Sequence, residues 1–348
     1  MRRLPIYFLI DVSESMVGQP VNQVQEGMRT IIQSLRVDPY ALETVFVSII
    51  AFAGKAKELT PLTELYNFYP PVFPIGGGTS LGKGMECLMD SIDRNIRKTT
   101  LEEKGDWKPI IFLFTDGNPT DDYSAAFRRW NEKYRRHCNL VAISIGDNVN
   151  VLTLAQITND ILLLKETDAT TFSKFFQWVT ASIKTSSVSV SEAYTDELKL
   201  APTAGINLEK VDPREYRVDP DENFAVLRGR CQNTKGDYLI KYAKRSYGVR
   251  ENEIYPADNY KLVGAYPIDK DIYESLSARG YRSKINSNLL VGSPTCPCCG
   301  NQLAEVLCAC GNIFCVGESL TNTCPWCGLE GTLGEGGAQG LDLNRGLG

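Results

Sequence analysis

The chain has 348 residues, 43% of them hydrophobic, with 37 basic against 42 acidic side chains and a net charge of -5. That length exceeds one typical domain, the apolar share is ordinary for a globular protein, and the acidic balance argues against broad nucleic-acid binding. No apolar stretch approaches the about 20 residues of a membrane span.

The apolar start Ile6–Ile10 stops at Asp11, too early for a signal-peptide core, and reads as a first strand. Further continuous apolar runs follow at 45–53, 110–114, 140–145 and 161–164. Continuity rather than alternation is what strands covered on both faces show. Between them lie helical stripes at three–four spacing. Val21, Val24, Met28, Ile31, Ile32 and Leu35 form one, and Leu81, Met85, Leu88, Met89, Ile92 and Ile96 form another. Phe127, Trp130 and Tyr134 make a third, and Phe172, Phe175, Phe176, Val179 and Ile183 a last. Residues 1–187 therefore predict an α/β domain with a doubly wound, mostly parallel sheet.

Asp11 and Asp116 each follow an apolar strand directly, so both fall at the rim where open α/β sheets bind ligands. Ser13 and Ser15 come two and four residues after Asp11, in a short loop before a helix whose start is marked by Pro20. Thr79 follows the glycines Gly76–Gly78, which permit a sharp turn. Two carboxylates and three hydroxyls give an all-oxygen set suited to a hard cation such as Mg2+, with Mn2+ or Ca2+ as substitutes. The two acids at most neutralise a divalent ion, which leaves it open to an incoming anion.

This Asp-x-Ser-x-Ser…Thr…Asp pattern resembles the metal-ion-dependent adhesion site of von Willebrand factor A domains, and all five positions match. The resemblance implies a Rossmann-like fold in which Asp11, Ser13, Ser15, Thr79 and Asp116 hold the ion directly or through water. A partner's carboxylate then completes its octahedron.

Enzymatic readings find less support. A phosphohydrolase using Asp11 as nucleophile is the alternative, but its pattern needs a second carboxylate where Ser13 stands. A nucleotide loop would need a Gly-Lys-Ser/Thr after the glycines, and none follows. The single histidine, His137, ends a basic helix carrying Arg128, Arg129, Lys133, Arg135 and Arg136, which reads as a solvated face. No catalytic residue is assigned.

Residues 188–222 read as a linker, Ser-rich at first and stopped by Pro213 and Pro220. Residues 223–328 read as a small β-rich domain, with strands at Phe224–Leu227, Tyr238–Tyr242 and Tyr260–Gly264 and a helix near Ile272–Arg279. Eight of the eleven cysteines crowd into its end, 295–328. Such crowding in a chain read as cytoplasmic means metal rather than disulfides. Cys296–Cys299 and Cys324–Cys327 are Cys-Pro-x-Cys-Gly knuckles, whose gap lets two thiolates reach one ion.

Cys308, Cys310 and Cys315 lie between them, giving seven ligands for Zn2+; the eighth is Cys298 or an outside residue, with Cys231 a candidate. One or two zinc ions are expected, a single ribbon of Cys296, Cys299, Cys324 and Cys327 being the simpler arrangement. With thiolates filling every position the site is closed and structural, and metal should supply the module's folding energy. The shorter spacing and missing histidine count against a ubiquitin-ligase RING. The Gly-rich residues 329–348 read as a flexible tail.

An adhesion-type domain followed by cysteine knuckles is similar to the TerY proteins of bacterial tellurite-resistance systems. That resemblance implies a non-enzymatic scaffold of the stress response, with a serine/threonine protein kinase and a metal-dependent protein phosphatase as partners. Direct capture of tellurium is disfavoured, because thiolates committed to zinc are poor free nucleophiles.

Overall fold

The structure is a computed structural model that describes residues 2–116, 118–145, 151–164, 169–192, 201–202, 208–210, 224–244, 259–278, 283–319, 321–332 and 340–346. The chain divides into two compact units: Met1–Val12, Gln19–Pro74 and Thr79–Pro220 form the first, and Ser13–Gly18, Ile75–Gly78 and Asp221–Gly348 the second.

In the first unit, strands β1 (Leu4–Asp11), β2 (Val45–Phe52), β3 (Ala56–Glu64), β4 (Ile110–Thr115), β5 (Asn139–Ile145), β6 (Asp160–Leu164) and β7 (Leu208–Lys210) form one sheet, ordered β3-β2-β1-β4-β5-β6-β7. The five apolar strands foreseen from sequence are its parallel centre. The edges β3 and β7 run antiparallel to their neighbours. Between the strands lie helices α1 (Gln19–Arg36), α2 (Pro39–Thr44), α3 (Leu81–Asn95), α4 (Ser124–Lys133), α5 (Val151–Ala155) and α6 (Ala169–Glu192).

Successive strand side chains point to opposite faces, and the buried strands use both. Tyr7, Leu9, Ile111 and Leu113 cluster with Leu81, Met85 and Leu88 of α3 and Phe127 and Trp130 of α4. Their neighbours in sequence face the other way. Phe8 stacks on Phe112 with centroids 5.7 Å apart, and Phe114 meets Phe175 and Phe176 of α6 at 5.8 and 6.2 Å. The doubly wound reading therefore holds, with two edge strands added.

The linker reading needs correction. α6 runs on to Glu192, and Leu208–Lys210 pairs with Leu162–Leu164, so parts of 188–222 belong to the first unit's regular structure. The remainder of that segment, apart from 201–202, lies outside the described residues.

The second unit is built on a six-stranded sheet of β8 (Phe224–Arg230), β9 (Asp237–Lys244), β10 (Tyr260–Ile268), β12 (Leu290–Val291), β13 (Leu303–Leu307) and β14 (Ile313–Val316), ordered β12-β10-β9-β8-β14-β13. β11 (Ser283–Asn286) pairs with β17 (Asp342–Arg345), and β15 (Thr321–Thr323) with β16 (Glu330–Thr332). Helix α7 (Lys270–Leu276) is the one expected near 272–279; Arg279 lies outside the described residues. The cysteine module is not appended to this sheet but part of it, since β14 pairs in parallel with β8. Nor is 329–348 flexible throughout. β17 buries Leu343 against the same core as Tyr260 and Ile285, because apolar Leu343 alternates with polar neighbours in a half-buried strand.

Candidate metal centres

Parallel pairing of β1 with β4, Ile10 opposite Phe114, brings the ends of both strands to one rim of the first unit. Asp11 is fully buried there, and its carboxylate accepts a hydrogen bond from the Thr115 hydroxyl at 2.7 Å. Asp116 is the next residue and is also buried.

Thr79 enters the rim at the start of α3, after Gly78 turns the chain at φ +94. Its N–H donates to Thr120 Oγ1 at 2.9 Å, and its carbonyl accepts from the Thr120 N–H at 2.8 Å. Asp121 adds a further tie by accepting the first α3 amides, Gly82 at 3.3 Å and Lys83 at 3.2 Å, as a helix cap borrowed from another loop. Burial pushes the Asp121 carboxyl up while those amides pull it down. The loop after β4 and the start of α3 are thereby fixed to each other through Thr120 and Asp121.

Ser13 and Ser15 follow Asp11 in the chain and are folded with the second unit. Their hydroxyls lie 2.9 Å apart, and both residues are buried. A short 3₁₀ turn, Glu14–Met16, sets that spacing, with the Met16 amide donating to the Ser13 carbonyl. Thr115, Thr120 and Asp121 escaped the sequence reading. Only the strand register and the loop ties reveal them.

The cysteines resolve into two groups of four. Cys231, Cys296, Cys299 and Cys315 form one, and Cys308, Cys310, Cys324 and Cys327 the other, each with sulfurs within 4.8 Å of one another. Cys299–Cys315 and Cys231–Cys315 are 3.8 Å apart, Cys308–Cys327 3.6 Å and Cys310–Cys324 3.9 Å. An ion bound tetrahedrally at about 2.3 Å spaces its sulfurs by about 3.8 Å, so the donor set and its dimensions fit a metal-thiolate cage.

Gly300, Gly311 and Gly328 follow Cys299, Cys310 and Cys327 with φ between +77 and +84, the left-handed turn that closes each knuckle. Amide groups point at the sulfurs, Thr234 N–H to Cys231 at 3.3 Å and Gln232 N–H to Cys315 at 3.3 Å. Burial pushes the Cys296 and Cys308 thiols up to about 12. Against the same effect of burial, hydrogen bonds from Thr234 bring Cys231 down to about 6. Four thiolates in so small a space need a cation to exist together.

Two sequence expectations fall here. Cys298 belongs to neither group; its sulfur lies 3.9 Å from the Gly236 carbonyl, and Cys231 takes the eighth place. The single ribbon fails as well, because Cys296 and Cys299 sit in one group and Cys324 and Cys327 in the other.

Residues 6–178 match the von Willebrand factor type A domain, and residues 221–348 match the TerY-C metal binding domain. The chain is 26% identical over 118 residues to inter-alpha-trypsin inhibitor heavy chain H1 of Bos taurus, which covers 33% of this chain and 13% of that protein. The Sus scrofa protein of the same name is 25% identical over 162 residues, covering 44% of this chain and 18% of its own length.

The chain thus spans less than a fifth of either relative. Among solved structures, the pilus adhesin SpaC of Lactobacillus rhamnosus GG superposes at TM-score 0.42 with 14% identity, covering 53% of this chain and 30% of that one. Proximal thread matrix protein 1 from the mussel byssus, with a zinc occupied MIDAS motif, gives TM-score 0.38 and 18% identity over 53% of this chain and 46% of that one. The chain therefore has the TerY-type architecture, a von Willebrand factor type A domain followed by a TerY-C metal binding domain.

Proposed function

We propose that the protein is a non-enzymatic scaffold that binds other proteins through a divalent cation held by Asp11, Ser13, Ser15, Thr79 and Asp116. The observation that carries this reading is the pair Asp11 and Asp116, both buried and sitting at the ends of adjacent strands. Two carboxylates so placed destabilise each other unless a cation lies between them. Mg2+ fits an all-oxygen set, with Mn2+ or Ca2+ able to replace it. The hydroxyls bring no charge, so the bound ion keeps its attraction for a carboxylate from a partner.

The two cysteine groups are assigned to Zn2+, one ion each, with Cys231, Cys296, Cys299 and Cys315 on the first and Cys308, Cys310, Cys324 and Cys327 on the second. All four positions of each are taken by thiolates, which suits a structural role. A reducing cytoplasm is the compartment in which eleven cysteines serve as ligands and free thiols. The TerY-type architecture suggests the setting, a tellurite-resistance or stress-signalling system with a serine/threonine protein kinase and a metal-dependent protein phosphatase as partners.

Affinity capture from the native host tests the docking mechanism. Partner recovery should fall with EDTA, return with Mg2+, and stay lost in Asp116→Ala. Equal recovery under all three conditions would remove the ion from the mechanism.

A further inference from the structure

Ser13 and Ser15 flank Glu14, and within the second unit this loop is held by residues 226 and 259 positions further along the chain. Glu14 is 2% exposed, and its carboxylate accepts a hydrogen bond from the Tyr273 hydroxyl of α7. Lys241 of β9, 3% exposed, donates from Nζ to the Ser15 carbonyl. Gly346, directly after β17, passes so close that a side chain there would begin 2.2 Å from Glu14 Oε2. The segment running into Thr79 is held by the same end of α7. Its Gly77 N–H donates to Ser277 Oγ at 2.7 Å, and its Gly77 carbonyl accepts from the Ala278 N–H at 2.9 Å.

A buried carboxylate or ammonium is tolerated only with hydrogen bonds to it, so neither Glu14 nor Lys241 can leave its place cheaply. The backbone of Ser13–Ser15 is consequently tied to α7 and β9 at two points one residue apart. Gly77 ties the approach to Thr79 to the same helix. All three proposed hydroxyl ligands lie within two residues of such a tie.

We propose that Glu14, Tyr273 and Lys241 are positioning residues that couple cation binding at the adhesion motif to the conformation of α7 and the C-terminal strand β17. A partner that shifts α7 would then change the ion affinity, and the ion would in turn steady α7, because coupling between two sites is reciprocal. This rests on the reading of Asp11, Ser13, Ser15, Thr79 and Asp116 as a cation site.

The test uses the full chain loaded with zinc and takes Mn2+ as the probe. Its dissociation constant is measured by electron paramagnetic resonance, and hydrogen exchange is followed at 270–276 and 342–346. In the wild type, Mn2+ slows exchange in both segments. Tyr273→Phe keeps the ring and removes the hydroxyl; it should weaken Mn2+ binding at least about fivefold and abolish the slowing, with zinc content unchanged. Lys241→Met should act in the same direction.

Wild-type Mn2+ affinity in both variants would overturn the coupling, as would exchange in α7 that does not respond to Mn2+ in the wild type. Asp116→Ala separates the two levels: should it bind Mn2+ as the wild type does, the cation site itself is refuted.

Discussion

Arg230 and Trp326 are stacked: the guanidinium carbon lies 3.8 Å from the centre of the indole, inside the second cysteine knuckle. Arg228 lies 5.6 Å from the same ring, and both arginines converge on Asp237, with Arg230 Nε at 2.7 Å and Arg228 Nε at 3.0 Å. Asp237 is 1% exposed, and it links the sheet to the knuckle through ion pairs with two partly exposed arginines, Arg228 also pairing with Glu274 at 2.8 Å. Removing one partner of such a group leaves uncompensated charge, at a cost of about 3–5 kcal/mol. Asp237→Asn should therefore lower the unfolding free energy of the second unit, measured in urea, by up to about 3 kcal/mol, since Arg228 keeps Glu274, whereas an exposed pair such as Glu26–Arg29 should contribute under about 1 kcal/mol.

The cysteine assignment makes a stoichiometric prediction. Cys231→Ser should cost one equivalent of zinc out of two, and Cys298→Ser should cost none. Elemental analysis of the purified variants decides it. Two equivalents retained in Cys231→Ser would return the eighth place to another residue.

The contrast between those two cysteines shows what the sequence could and could not reveal. Knuckles are local, so Cys296, Cys299, Cys324 and Cys327 are visible from spacing alone. Cys231 is brought in by topology. β14 pairs with β8 as Ile313 opposite Gly229 and Phe314 opposite Arg230, and the next step of that register sets Cys315 beside Cys231. Cys298, inside the first knuckle, packs against the same core but is not one of the four whose sulfurs all lie within 4.8 Å of one another.

The sheet of the first unit was legible because strands buried on both faces read as unbroken apolar runs. β3 hid behind Lys57, Glu58 and Pro61, residues that an edge strand tolerates because one side of its backbone needs no partner. The ends of β1 and β4 marked Asp11 and Asp116. The tie of Glu14 to Tyr273 spans 259 positions and leaves no local trace.

The end of the chain offers a check on packing. Leu343 is 3% exposed and pairs across from Ile285, in the core that also holds Tyr260 and Cys296. Leu343→Ala should destabilise the second unit by about 2–5 kcal/mol, read from chemical unfolding. A loss below 1 kcal/mol, the value expected at an exposed position, would contradict this burial.

The rim of the first unit gives the sharpest prediction, because the sign of one substitution should depend on the buffer. Asp11→Asn keeps the shape of the side chain, and its amide oxygen still accepts the Thr115 hydroxyl. It removes one of two buried carboxylates at neighbouring strand ends. In EDTA, with no cation to offset their repulsion, the variant should be as stable as the wild type or more so.

In saturating Mg2+ the order should reverse. An ion that binds only the folded state stabilises it, by about 2.7 kcal/mol at a hundred times its dissociation constant, and the wild type alone should gain that amount. Urea unfolding of both proteins in the two buffers measures all four values. Equal stabilisation of both proteins by Mg2+ would mean that the ion does not sit against Asp11.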